Sequence, residues 1–440
     1  MTPKNKISSL HQLLFSLCVI VPYFNNYEIS FLIWLVVAVI SLRKSYSKEF
    51  ISYWGIFVFL LLLGFVVGRF FDYSLYYTVR DITYMMKPVL GLLIGYQLFQ
   101  KGIEKPFRFL VNSGVAMACI HLVMVAYGFV FHGAANVREI REYGGYFNDY
   151  EVYALLFLLF NKQFDLGLTP KQRRNFLVLL GVSSFFYLAR TNFLQFAILF
   201  IGMKGYLILN KRSLKIITTL FVSLIVGYTA VYYYNPQRNG DGLDEFLYKI
   251  KMAPGEAFST KINRDDWKDF NDNYRSYENI RTTQQLSHNE TWWFGEGIGS
   301  QVDLKQKVYL GDMELRQISI LHNGFMTVLL KTGVFGLCIY FITIFFFLYN
   351  PSANTKELYT LKLLFIGTGV FLILSNWVFM GVYNLLDSKS LLIGFAAISI
   401  FMIAYYLLFG TFSVVALAVN LLLLISVLSM LQATLTLPGI

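Results

Sequence analysis

Arg69, Asp72, Arg80 and Asp81 sit at one end of two neighbouring apolar runs, with Lys87 one and a half turns deeper; Arg138, Arg141, Asp149 and Glu151 flank the start of another, and Arg190 lies in the LARTNF turn between two more. An Arg, Lys or Asp near the middle of a membrane helix costs roughly 2.5–3.5 kcal/mol, so such groups are functional by default. Arginine keeps its charge and grips phosphate oxygens bidentately, so guanidinium groups gathered on one membrane face suit an anion held at the lipid surface. Ion pairing or interfacial snorkelling is the better explanation of Arg69, Arg138 and Arg141, because Asp72, Glu139 and Glu142 stand beside them. Arg190 has no acidic residue within twenty positions on either side. Lys87, ahead of Pro88 in YMMKPVL, either pairs with Asp81 or faces a polar cavity.

A second concentration spans WWFGEGIGS (Trp292 to Ser300) and SILHNGFMTVLLKTGVFGL (Ser319 to Leu337). His322, followed by Asn323 and Gly324 and then an apolar helix, can serve as a general base or hydrogen-bond donor at the membrane surface, or simply as a cap. Gly295, Gly297 and Gly299 do not follow the dinucleotide fingerprint and read as a tight turn letting backbone approach a neighbour or an anion. No HExxH, Walker-type, CxxC or DxD pattern occurs, and Cys18, Cys119 and Cys338 lie apart inside apolar runs. Adjacent Asp265 and Asp266 are the nearest approach to a metal site, and loop ion pairing suits them better. Neither a metal nor a nucleotide cofactor is expected.

The elements holding these residues follow from composition. Of 440 residues 56% are apolar and only 14% charged, about half the charge of a soluble chain, which excludes an ordinary soluble protein. Apolar runs at about 10–24, 28–42, 50–70, 82–99, 108–131, 149–161, 175–189, 192–209 and 214–234 predict nine spans, with more at 318–349, 361–383, 389–409 and 411–435. The expected fold is an all-α polytopic membrane protein of 12 to 14 transmembrane helices: a first bundle over 1–234, an external loop subdomain over 235–317 and a C-terminal bundle over 318–440. The first run lacks a small-residue cleavage site and reads as a retained span. The long loop holds 14 of the 26 acidic but 11 of the 37 basic residues, so the net charge of +11 resides in short loops. Lys4/Lys6, Arg43/Lys44/Lys48, Lys101/Lys105/Arg108, Lys162/Lys171/Arg173/Arg174 and Lys211/Arg212/Lys215 alternate with less basic turns and are cytoplasmic by the positive-inside rule. The basicity reports topology, not nucleic-acid binding, and puts the arginine turns and the loop outside. Trp267, Tyr274, Tyr277, Trp292 and Trp293 suggest that the loop packs, either on itself or against sugar faces.

HNGFMTVLLKTGVFGL resembles the His-Asn motif and following Gly-x-x-Gly helix of the bacterial O-antigen polymerase and O-antigen ligase superfamily. WFGEGIGS resembles the Gly-x-Gly-x-Gly segment found shortly before it there, LARTNF the Ser/Ala-Arg-Ser/Thr turn, and REYGGYFNDYEVYA the Gly-x-Phe-x-Asn element. Order and spacing match over roughly residues 138 to 340. The resemblance implies a GT-C-like glycosyltransferase of the bacterial cytoplasmic (inner) membrane, facing the periplasm and needing no metal. Its donor and acceptor would be undecaprenyl-diphosphate-linked oligosaccharides, and its further partners membrane lipids and a chain-length regulator protein. By the same resemblance Arg190 corresponds to the diphosphate-binding arginine, and His322 to the histidine that activates or positions the acceptor hydroxyl, with Asn323 beside it. Arg275 and Arg281, then Arg264, are candidates for the family's loop arginine, and Arg80 completes the substrate-binding set. The chain departs from the family at Asp149, where relatives often have Pro, and its one arginine-to-glycine spacing of eleven, Arg80 to Gly91, falls inside a span. The implied activity is polymerisation of lipid-linked repeat units. An O-antigen ligase acting on lipid A core, or an anion transporter, are the alternatives; a transporter would carry comparable charges toward both membrane faces.

Overall fold

The computed structural model describes residues 3–24, 26–99, 105–146, 148–208, 210–237, 273–310, 313–348, 356–384 and 388–395, with isolated positions between 244 and 270. Arg264, Asp265, Asp266 and Trp267 lie outside the described residues, as do the side chain of Arg138, most of the 389–409 run and all of the 411–435 run.

The described chain is mostly helical, and five helices are long and apolar enough to cross a membrane: Phe50–Gly68, Pro106–His132, Lys211–Tyr234, Gly324–Leu348 and Tyr359–Phe379. This is a helical membrane protein. In chain order the helices are α1 (Pro3–Ile20), α2 (Tyr27–Ile40), α3 (Lys48–Gly68), α4 (Leu75–Phe99), α5 (Pro106–His132), α6 (Val137–Gly144), α7 (Asp149–Leu159), α8 (Asn161–Phe164), α9 (Pro170–Phe186), α10 (Arg190–Met203), α11 (Lys211–Tyr234), α12 (Tyr274–His288), α13 (Gly324–Leu348) and α14 (Lys356–Phe379). Side-chain caps set many of the starts. Asn26, Ser47, Asn148 and Asn210 accept backbone N–H bonds, and Thr169 with Gln172 forms a capping box ahead of Pro170.

Helix α3 packs on α4 and α13, α13 on α14, α14 on α10, α10 on α7, and α7 on α5 and α9. Cross-contacts put the connections before α2, α4, α7, α10 and α13 on one side of this bundle: the Tyr23 hydroxyl donates to Gly144 O at 3.0 Å, Arg80 to Ser319, and Met380 N to His322 O at 3.1 Å. We refer to this as the loop side.

The loop folds, with one departure from the all-α expectation: β1 (Val302–Leu310) and β2 (Met313–Ile318) form an antiparallel hairpin, the one sheet among the described residues. Tyr274, Tyr277, Leu286, Val302, Leu304 and Ile318 form its own small core, which continues onto Leu329 and Leu330 of α13. Tyr274 and Tyr277 are therefore core residues, whereas Trp293 is exposed.

The glycine segment docks between α3 and α13. Gly295, Gly297 and Gly299 all have positive φ (74°, 80° and 99°), which side chains rarely adopt, and a Cβ on Gly297 would collide with the backbone of Gly68. Helix α13 is broken at Gly333 (φ 66°, ψ −170°), and the groups this frees are taken up by the segment: Val334 N donates to Trp292 O at 2.8 Å, Phe335 N to Trp293 O at 3.1 Å, and Glu296 N to Leu330 O at 2.8 Å. Non-helical backbone at membrane depth survives only when satisfied in this way. The neighbours approached by the glycines are thus the broken helix at Gly295 and the end of α3 at Gly297.

Two buried ion pairs fasten distant parts of the chain. Lys331 Nζ lies 2.6 Å from Asp81 Oδ2 and donates to Ser300 O, while Gly299 N also donates to Asp81. Lys389 Nζ lies 2.6 Å from Asp149 Oδ2, joining the start of α7 to the helical stretch at 389–395.

Candidate functional site

His322 stands at the mouth of α13, on the loop side. Asn323 caps that helix, its Oδ1 accepting from Phe325 N (3.0 Å) and Met326 N (3.2 Å), so its amide oxygen is committed to structure. The partner of His322 comes from the loop. Glu278, buried on α12, accepts the His322 backbone N–H at 2.9 Å and faces its Nδ1 at 2.9 and 3.1 Å through its two oxygens. A carboxylate can only accept, so Nδ1 carries the proton and Nε2 is left as the basic nitrogen. The Tyr274 ring meets the imidazole edge-on at 5.8 Å, and the His322 side chain remains 42% exposed. The result is an oriented imidazole on a partly exposed side chain.

Two arginines stand on elements packed near it. Arg275, one turn before Glu278 on α12, stands 5.5 Å over the ring of Phe379 at the end of α14. Phe379 packs in turn against Tyr187 and Ala189, which lead into Arg190, the first residue of α10. Its neighbour Met380 is bonded to the His322 carbonyl. The elements that carry Arg190, Arg275 and His322, far apart in sequence, thereby meet at Phe379 and Met380. Arg141 on the short surface helix α6 belongs to the same field: burial lowers its pKa and nearby Tyr146 opposes this, while the charge of Arg190 lowers it further.

The remaining sequence candidates divide. Arg80 donates to Ser319 Oγ at 2.5 Å, three residues before His322, and lies over the rings of Tyr77 (4.9 Å) and Tyr76 (5.7 Å), so it borders the site. Arg281 donates to Asp303 O at 3.1 Å and to Gln284, which commits it to the hairpin. Arg264 lies outside the described residues.

Beneath Arg190 a buried network supports the turn. Tyr187 donates to Glu151 Oε1 at 2.8 Å, Ser183 donates to Glu151 Oε2, His121 Nδ1 contacts Ser183 Oγ at 2.8 Å, and the His121 ring stacks on Tyr187 at 3.7 Å. Leu188, between Tyr187 and Ala189, has φ 49°, a left-handed conformation uncommon for leucine.

Sequence reasoning did not reach Glu278 or Phe379. Glu278 had a signal: Arg275, Glu278 and Arg281 recur three apart, a charged stripe along one helix face. Phe379 had none, being one aromatic among many in an apolar run.

Chemically, the site offers a partly exposed imidazole fixed by a carboxylate, with arginines on the elements packed nearby that can neutralise a polyanion. Among the described residues no three His, Cys, Asp or Glu side chains gather as a cation ligand set. Comparison with family models, with curated proteins and with solved structures finds no match to this chain, so its activity must be read from the site itself.

Proposed function

We propose that this protein is a membrane glycosyltransferase that lengthens glycans carried on a polyprenyl diphosphate, working on the periplasmic side of a bacterial inner membrane. The observation that carries the reading is the oriented imidazole: His322 is held through Nδ1 by buried Glu278, while Arg275 of the same helix lies over Phe379, against which Ala189, the residue before Arg190, also packs. In the proposed reaction an acceptor hydroxyl attacks the anomeric carbon of the donor sugar, and its proton passes to His322 Nε2. The bond from the anomeric carbon to the diphosphate oxygen breaks, and the lipid diphosphate leaves with its added negative charge neutralised by the arginines. The alternation of basic clusters along the chain supports a loop side facing away from the cytoplasm.

The test is to delete the gene and complement it with wild type, Arg190→Ala or His322→Ala, reading surface glycans and lipid-linked intermediates on gels. A polymerase predicts lipid A core bearing a single repeat in the deletion strain, unrestored by either variant at normal expression. Bare core with long glycan stranded on the carrier lipid would identify a ligase instead, and wild-type glycan from both variants would sink the site assignment.

A further inference from the structure

The WWFGEGIGS segment carries two large side chains that its docking on the broken helix does not use. Trp293 is 71% exposed and Phe294 54%, and among the described residues of 235–317 no other large apolar side chain is as exposed. The residues around them are bound. Trp292 Nε1 donates to Ser287 Oγ at 2.9 Å, and the buried carboxylate of Glu296 accepts from Gln285 Nε2 and Asn289 Nδ2, both at 2.7 Å.

What the pair joins is the outer flank of two spans. Phe59, Leu62 and Val66 recur at i, i+3 and i+7 on α3 and are exposed, and Phe335, Ile342 and Phe345 are exposed along one face of α13. The two stripes meet where the ring of Phe335 stands 6.4 Å from that of Phe59, and Phe294 extends them at 5.8 Å from Phe335.

Depth follows from helix geometry. The stretch Phe50–Gly68 is about 28 Å long at 1.5 Å per residue, which matches a hydrocarbon layer about 30 Å thick and puts Gly68 at its loop-side edge. Helix α13 runs beside α3 in the opposite direction, with Thr332 against Gly64, Phe335 against Phe59 and Tyr340 against Phe57. Phe335 therefore lies about 10 Å below that edge, and its amide is bonded to Trp293 O, which holds Trp293 and Phe294 at the same level. Between Glu290 and Glu296 the chain reads Thr-Trp-Trp-Phe-Gly, with no charge for hydrocarbon to reject.

We infer that Trp293 and Phe294 form a membrane foot, inserted among the acyl chains of the loop-side leaflet, and that the surface they share with Phe59 and Phe335 is covered by lipid. Continuity with the exposed flanks of two spans is what selects lipid over a sugar face, since an aromatic platform for glycans has to stand in water. The loop subdomain is then partly immersed. Through Glu296 the foot is tied to α12, so it also sets the level of Glu278, the partner of His322, relative to the bilayer. The inference concerns the membrane and holds whatever reaction the site performs.

The experiment isolates Trp293 emission as the difference between full-length wild type and Trp293→Phe in phosphatidylcholine nanodiscs. That emission is expected to be lost when the lipid is brominated in the upper part of one acyl chain, and to withstand iodide in the water. Quenching by iodide and not by brominated lipid would overturn the foot, and so would indifference to both, which would put the pair against glycan or protein. A second measurement does not depend on the tryptophan. With Cys18→Ala, Cys119→Ser and Cys338→Ser as background, a nitroxide at Phe294→Cys should collide more with oxygen than with a water-soluble nickel chelate, and one at His288→Cys, exposed at the end of α12, the reverse. Preference for the chelate at Phe294→Cys would overturn the inference.

Discussion

His121 and His322 are both coupled to a glutamate, His121 to Glu151 through the Ser183 hydroxyl and His322 to Glu278 directly. Their surroundings differ. His121 is fully buried, stacked on Tyr187, with Gly144 closing over its Nε2, so that even a Cβ at that glycine would press against the ring. Nothing from outside reaches that nitrogen. His322 keeps its side chain 42% exposed at the loop side, held on one flank by Glu278 and Tyr274 of α12. Similar chemical partners thus make a closed brace in one place and, in the proposed mechanism, a base in the other, and access separates them. The brace still serves the site, because Tyr187 leads into the turn that presents Arg190.

Three substitutions probe this contrast. The largest effect is expected from Glu278→Gln. The amide keeps the shape but can hold the imidazole in the wrong tautomer, which lowers turnover about 10²- to 10⁴-fold on the precedent of the Ser-His-Asp triad. Glycan-transfer rates measured on purified protein check it, and a near-normal rate would mean that His322 does not act as a base. Next is His121→Leu, expected to lower stability by about 1–3 kcal/mol through lost stacking and an unpaired Ser183 contact while leaving activity per folded molecule largely intact. Thermal unfolding in detergent reads the first quantity; lost activity at unchanged stability would erase the distinction between the two histidines. The smallest is Asp303→Asn in the hairpin behind α12. The Lys305 N–H, followed by the Lys305 and Arg316 side chains, holds the Asp303 carboxyl below the usual carboxylate range. A carboxyl lowered in the folded state stabilises above its unfolded pKa and loses that contribution as pH falls through the folded one. Wild type should therefore exceed Asp303→Asn slightly at neutral pH and match it in strong acid, as hydrogen exchange of the hairpin amides would report.

Much of the helical frame was legible in the sequence, because apolar run length and basic punctuation are local signals. Predicted runs at 28–42, 50–70, 108–131 and 214–234 fall on α2, α3, α5 and α11 within a few residues. The hairpin escaped because its strands are polar and its alternation is broken by an irregularity between Asp303 and Val308. Long-range pairing escaped more completely. Asp81 finds Lys331 rather than being defined by Lys87 one and a half turns away, and Asp149 finds Lys389; neither separation leaves a periodic trace. At the site, Arg190 and His322 were visible because a charge or imidazole beside an apolar run stands out, whereas the meeting of Arg275 and the turn before Arg190 at Phe379 is a product of packing.

The break at Gly333 bears on how the chain is made. Residues 292–296 leave the ribosome before α13 and, by the proposed topology, are already across the bilayer when α13 enters it. The helix must then arrive with the Val334 and Phe335 amides and the Leu330 carbonyl unmatched until the translocated segment returns to clasp them. On that topology the split helix is completed only when the segment 292–296 docks on it, so a chain arrested before that step would leave these amides open in the membrane.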